Sequence, residues 1–451
     1  MNNYKKLSIL FVAILLYSII SFPGYADDLD IALQTDANQL VQNNKSIAFT
    51  AVQISILLPS ESRPRDYVAG TQTNLLGTVH PATTNMLVQY GSITKEYTNA
   101  LLIKYIDTHP DSNISLQTSL ATLFPEKFSS HMWPEAWKII TIEQLMNMTS
   151  GIANGYPRTL VSFNPDAHYT LDSYVQEVAT EQNTKGCILD NGCFPAGTQF
   201  YYSNTNYQIL GMIIGKFYDD GHEPYDDAYA TALNENILDA QRAQGNAIYY
   251  QLYYTPAILN NMINSYWGFD NQSTPYLQFG QNITNSNLSW VASAGAFTGN
   301  MHALVNITHA LFYDEILSAE QTQILTQTGF VQKQTGKPVA FADRYEQCTQ
   351  TCYGLGVMYI SQFTSSVYGD IYLYNGATQG FNSIYIWLPK YNVIIAVAIN
   401  TTQESIRQPY EAMKAAIIQQ VIAYLNPNQA VPSVPENILH ELNNNYSNKG
   451  Q

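Results

Sequence analysis

Two families of hydrophobic pattern alternate along the chain. Short runs crowded with β-branched and aromatic residues lie near its two ends: SIAFTAVQISILLP (46–59) and NMLVQYG (85–91) early, then YGLGVMYI (353–360), DIYLYNGA (370–377), NSIYIWLP (382–389) and NVIIAVAIN (392–400) late. Such runs predict strands, and the short turns between the last four predict an antiparallel meander. QPYEAMKAAIIQQVIAYL (408–425) follows, with apolar residues at helical spacing, and stops at the Pro- and Asn-rich NPN. From roughly residue 100 to 290 the pattern is mostly helices and loops.

Strands at both ends around a helical middle predict an α/β protein. Its single antiparallel sheet is built from both chain ends and flanked by helices, with a largely helical inserted lobe and a cleft between the two. Clefts of this kind hold small-molecule sites. Residues 431–451 are expected to form a polar tail, and no internal repeat divides the chain.

The N-terminus changes the picture of where the chain works. Lys5 and Lys6 precede an apolar run from Leu7 to Phe22, then a Pro-Gly break and small residues at Gly24 and Ala26. This predicts a signal peptide, residues 1–26, cleaved after Ala26. The run is shorter than the about 20 residues of a spanning helix, so no membrane span is expected after cleavage. The destination is the periplasm or the exterior. Cys187, Cys193, Cys348 and Cys352 fall into two local pairs, read as two short-loop disulfides of an oxidising compartment, although four cysteines allow three connectivities. Neither pair has zinc-site spacing. The formal charge is −15, and losing Lys5 and Lys6 with the leader takes it to −17. So acidic a chain is a poor partner for nucleic acid, which needs clustered Lys and Arg.

Three motifs carry candidate chemistry. In YGSITKEYTNALL, Ser92 and Lys95 stand one helical turn apart where a strand gives way to a helix, so their side chains share a face. In YYSNTNYQILG, Tyr202 and Asn204 lie on a loop before a helix whose apolar face includes Ile209, Leu210, Ile213, Ile214 and Phe217. In YLYNGATQGF, a strand reaches Tyr374, Asn375 and Gly376, and the glycine would let a substrate lie against the strand. A second Thr-Gly, in QKQTGKP around Gly336, sits in a polar stretch and lacks that context. There is no G-x-S-x-G elbow and no H-E-x-x-H. His302 and His309 are read as helix-surface or packed residues.

In order and spacing these motifs resemble the serine β-lactamase and penicillin-binding peptidase superfamily, in its class C β-lactamase, D-alanyl-D-alanine carboxypeptidase and esterase branch. The signature there is S-x-x-K, then Y-x-N, then a Lys- or His-led triplet ending in Gly on a strand. ITIEQLMNMTSGI, FPAGTQF and YGLGVMY also resemble that branch, and the likeness runs from about residue 45 to 425, within a hydrolase domain of residues 27–430. The resemblance implies Ser92 as nucleophile, Lys95 as its activator and Tyr202 as general base and later acid. Asn204 would hold Lys95 and the substrate amide. Backbone N–H groups of Ser92 and Ala377 would receive the oxyanion, and Tyr374, Asn375 and Gly376 would line the substrate side. It implies no cofactor, and a small-molecule or peptidoglycan-peptide substrate. One departure stands out: Tyr374 replaces the cationic Lys or His, and Asn375 the small hydroxyl residue after it. Losing a charge-assisted contact of about 1.5–3 kcal/mol argues against efficient β-lactam hydrolysis and against peptides read through a terminal carboxylate. It leaves room for an esterase or amidase.

Overall fold

Apolar runs without alternation fit strands covered on both faces, and in a computed structural model the runs from the two chain ends pair with one another. The structure describes residues 27–442 apart from 75, 156–163, 186–193, 219–223, 269–275, 314 and 362–366. The leader and Cys187 and Cys193 therefore lie outside the described residues. The strands are β1 (Ala51–Leu57), β2 (Arg65–Thr73), β3 (Val79–Pro81), β4 (Val88–Gln89), β5 (Ile248–Tyr250), β6 (Phe297–Gly299), β7 (Val331–Gln332), β8 (Cys352–Tyr353), β9 (Met358–Ile360), β10 (Ile371–Ala377), β11 (Asn382–Leu388) and β12 (Val393–Ile399).

Nine of these form one sheet, in the order β3-β2-β1-β12-β11-β10-β9-β8-β7. Neighbours are antiparallel throughout, and the first and last long strands meet in register from Val52 opposite Ile399 to Leu57 opposite Ile394. Every residue of β1 and β12 is buried. Helix α1 (Asp28–Asn43) lies along β1 and β2, while the helix Met301–Phe312 crosses β1 and β12. The fold is a large antiparallel sheet built from both chain ends and flanked by helices, as expected.

Two expectations are corrected. NMLVQYG does not join the main sheet; its Val88–Gln89 core forms β4, which pairs with β6 in a small sheet of order β4-β6-β5. Gly91 follows with φ +55° and turns the chain at once into the Ser92 motif, so β4 stays two residues long. The second correction concerns residues 431–451, expected as a polar tail. Residues Glu436–Leu442 form a helix docked on the domain, with Val434, Ile438 and Leu442 buried. Glu441, 1% exposed, pairs with Lys333 of QKQTGKP at 2.8 Å. Lys414, on the long helix Glu404–Leu425, donates to the Leu442 carbonyl. The polar letters of this segment hid the helical spacing of Ile438 and Leu442. One disulfide, Cys348–Cys352, closes the short loop entering β8.

Candidate active site

Ser92 sits in a 3₁₀ turn, Gly91–Ile93, that leads into helix α2 (Thr94–Thr108). This turn is pressed against the end of β10. A Cβ on Gly91 would lie 2.6 Å from the Ala377 carbonyl oxygen, and one on Gly376 only 1.8 Å from that of Tyr90. Only glycine permits this approach, which sets the backbone of Ala377 beside the residue preceding Ser92. Ser383 of β11 donates from Oγ to the Tyr90 carbonyl at 2.8 Å and ties the turn to the sheet.

Tyr202 closes the site from the other side, on the loop before helix α3 (Asn204–Tyr218). The stretch ITIEQLMNMTSGI holds that loop. Tyr201 N donates to the Met148 carbonyl at 2.9 Å, Gly197 N to that of Thr149 at 2.8 Å, and Ser203 Oγ to that of Ala153 at 3.1 Å. Asn154 accepts from Asn204 N at 2.8 Å and fixes where α3 starts. Ile209, Leu210, Ile213 and Ile214 are buried, so the apolar face read from the sequence anchors the helix.

These supports bring four predicted groups together. Lys95 Nζ lies 3.0 Å from Ser92 Oγ, and it donates to Asn204 Oδ1 at 2.8 Å and to the Ala294 carbonyl at 2.7 Å. Tyr202 donates its hydroxyl to Ser92 Oγ at 2.7 Å. Lys95 is fully buried, and burial pushes its pKa well below the ordinary 10.5. A neutral amine has two N–H groups and one lone pair. All three contacts are ones an ammonium can donate; in a neutral Lys95, with its N–H groups given to Asn204 and Ala294, the lone pair would face the Ser92 hydroxyl, the geometry of a general base. Desolvation pushes the Tyr202 phenol above its usual range, although contacts with Ser92 and Tyr374 oppose that shift. Tyr202 is thus held as a protonated donor, and Lys95 and Tyr202 both stand within hydrogen-bond reach of the Ser92 hydroxyl.

Tyr374 lies behind Tyr202, and its hydroxyl is among the groups that oppose the upward shift of the Tyr202 phenol. Ser92, Tyr202 and Asn204 are partly exposed, whereas Lys95 and Tyr374 are sealed behind them. Asn375 is not part of the cluster. Neighbouring residues of a strand face opposite ways, and the Asn375 side chain donates from Nδ2 to the Glu441 carbonyl at 2.7 Å. It ties β10 to the C-terminal helix instead of lining the substrate side. Asn375→Ala is expected to leave that carbonyl unsatisfied and cost about 1–3 kcal/mol, lowering the thermal midpoint with KM unchanged. A raised KM at unaltered stability would return Asn375 to the substrate.

Other contributors were missed. The Ala294 carbonyl is a backbone group with no sequence signal, and Asn154 shows itself only through α3. Tyr353, within YGLGVMY, places its hydroxyl 2.6 Å from that of Tyr374. His302 and His309 stay outside the site, paired with Asp66 at 2.8 Å and with Glu315 at 3.3 Å.

A serine held between a buried lysine and a tyrosine defines a serine acyl-transfer site. The chain belongs to the Beta-lactamase family, which matches residues 41–419. Among solved structures it is similar to the D-amino acid amidase of Ochrobactrum anthropi SV3, at TM-score 0.65 and 17% identity over 89% of this chain and 100% of that one. It is also similar to the β-lactamase/D-alanine carboxypeptidase of Pseudomonas syringae, at TM-score 0.60 and 15% identity over 90% of this chain and 100% of that one. A D-stereospecific amidohydrolase from Streptomyces sp. aligns at TM-score 0.59 and 17% identity, over 89% and 99% of the two chains. Penicillin-binding protein 4 of Amycolatopsis lactamdurans is 28% identical over 148 residues, covering 32% of this chain and about a third, 34%, of that relative. The family and these neighbours are serine hydrolases.

Proposed function

We propose that this protein is an exported serine hydrolase that cleaves amide bonds next to D-configured residues through an acyl-enzyme on Ser92. The observation that carries this reading is Ser92 Oγ held 3.0 Å from Lys95 Nζ and 2.7 Å from the Tyr202 hydroxyl. As Ser92 attacks the substrate carbonyl, its proton passes to Lys95. The Ser92 and Ala377 backbone N–H groups receive the oxyanion. Tyr202 gives its proton to the departing amine, and water then releases the acyl group. Protonated Lys95, 5.0 Å from the centre of the Tyr202 ring and 5.4 Å from that of Tyr207, gains from both aromatic faces.

Amides fit because an amine leaves only when protonated, and Tyr202 stands ready as the acid. D-Configuration is carried over from the amidase and carboxypeptidase neighbours. Tyr374 is buried behind Tyr202 and does not line the substrate side as expected, so this position offers no charge to a substrate carboxylate, which favours leaving sides that end in a neutral group. Export is supported by the pattern of residues 1–26 and by the Cys348–Cys352 disulfide, which belongs to an oxidising compartment. The neutral Tyr374 also favours a second reading, a carboxylesterase of the same fold. A panel of D-phenylalanine amide, its L-form, D-alanyl-D-alanine, a penicillin and p-nitrophenyl butyrate separates them. The expected order puts the D-amide first, with D-alanyl-D-alanine at least about tenfold slower, the scale of one lost charge-assisted contact. Turnover of the ester alone would replace the amidase reading by the esterase one.

A further inference from the structure

Where related motifs place a lysine or histidine, Tyr374 is backed by further phenols in the buried interior. Its hydroxyl lies 2.6 Å from that of Tyr353 on β8, and both side chains are 0% exposed. Tyr207 of α3 adds a third buried phenol, close enough to Tyr353 for each to influence the other's titration. The far end of the row is fixed: Asn99 Nδ2 donates to the Tyr207 hydroxyl at 2.8 Å, and that hydroxyl donates to the Met146 carbonyl at 2.9 Å. Gly356, from the same YGLGVMY stretch, makes room for this amide, since a Cβ there would lie 2.4 Å from Asn99 Nδ2. Tyr353 itself is held by pairing with Met358, by the ring of Phe200 at 5.4 Å and by the disulfide of the preceding Cys352.

With the Tyr207 proton committed to Met146, the two hydroxyls of Tyr353 and Tyr374 have two consistent settings. In one, Tyr374 donates to Tyr353 and Tyr353 to Tyr207, which suits a Tyr202 that keeps its own proton. In the other, Tyr353 donates to Tyr374 and Tyr374 to the Tyr202 oxygen, which suits a phenolate. Moving between them needs only rotation of two O–H bonds, with no charge moved through the interior. We propose that Tyr353 and Tyr374 act as a two-hydroxyl switch that turns to donate to Tyr202 when it surrenders its proton to the leaving group, in place of the cation the motif otherwise carries. Tyr374 touches the reacting phenol; Tyr353 is a positioning residue acting through it. The inference rests on the acyl-enzyme reading and adds the source of Tyr202's stabilisation.

Tyr353→Phe removes one hydroxyl and keeps the packed ring. Because the switch matters only when Tyr202 must give up a proton, its loss depends on the leaving group. For a D-phenylalanine amide, or an ethyl ester if only esters react, kcat is expected to fall about tenfold with KM unchanged. For the matching p-nitrophenyl ester, whose leaving group departs without a proton, acylation is expected to stay near the wild-type rate. Tyr374→Phe should show the same leaving-group dependence more strongly. Tyr374→Lys in the Tyr353→Phe background should recover amide turnover by restoring a donor to Tyr202. Equal losses on both leaving groups, or no loss on the poor one, would overturn the switch while leaving Ser92 chemistry standing. A wild-type protein inert toward every one of these substrates would overturn both.

Discussion

Ser92→Ala will lower kcat on a D-aminoacyl amide by about 10⁴–10⁶-fold, the scale seen when a nucleophile is removed from a serine hydrolase, while the thermal midpoint stays within a few degrees. Removing Oγ takes away the acceptor of the Tyr202 hydroxyl and the partner of the Lys95 lone pair, yet it deletes no packed apolar surface. Ser92 lies partly open in a turn whose shape is set by Gly91, Gly376 and the Ser383 bond to Tyr90. Circular dichroism and a thermal melt beside the kinetics will separate lost chemistry from lost fold. Retention of even a hundredth of wild-type kcat in a well-folded variant would mean that another group attacks the substrate.

Lys95→Met should cost about 10³-fold in kcat, in the upper range for a positioned general base, and should also change the pH profile. The sign follows from the direction of the shift. Burial lowers the Lys95 pKa well below 10.5, so above that lowered value the amine is neutral and able to take the Ser92 proton. As pH falls through it, Lys95 becomes an ammonium, the lone pair facing Ser92 is lost, and kcat/KM declines. Wild-type protein is therefore expected to show an acid limb well below 10.5, and the residual rate of Lys95→Met should lack that limb. A limb at the ordinary lysine value would instead mean a charged Lys95 at neutral pH, with Tyr202 as the first base. Methionine suits this test because it fills the buried volume without adding a charge.

Much of the architecture was legible because the central strands have no alternation. IIAVAI and AVQISIL can be satisfied only by a sheet covered on both faces, and that pairing unites the chain ends. β2 escaped notice because RDYVAGTQT is half polar, with its partly exposed positions interleaved among buried ones. NMLVQYG carried a strand signal whose destination depends on the turn at Gly91, a tertiary matter that propensity does not report. The C-terminal helix was obscured by its polar letters, although three buried apolar residues secure it.

The site was legible where chemistry depends on side-chain identity and local spacing. Ser92 and Lys95 share one turn of backbone, and Tyr202 and Asn204 flank the start of α3, so local spacing brings each pair to one face. Asn375 was misplaced because a motif read as a triplet ignores that alternate strand residues face opposite ways. Tyr353 and the Ala294 carbonyl were out of reach, since each arrives from a distant segment: Tyr353 stands in YGLGVMY, where no side chain was singled out for chemistry, and Ala294 acts through its backbone. Replacing the motif's cation by Tyr374 reads in sequence as a loss. In the structure the position joins a row of buried hydroxyls that ends on Asn99 and Met146.

The most direct test of the central claim is the intact mass of the protein after reaction with a fluorophosphonate, followed by mapping of the modified peptide. The account expects one phosphonyl group, attached to Ser92, formed in wild-type protein and absent from Ser92→Ala. An unmodified wild-type protein, or an adduct that persists in Ser92→Ala, would contradict it.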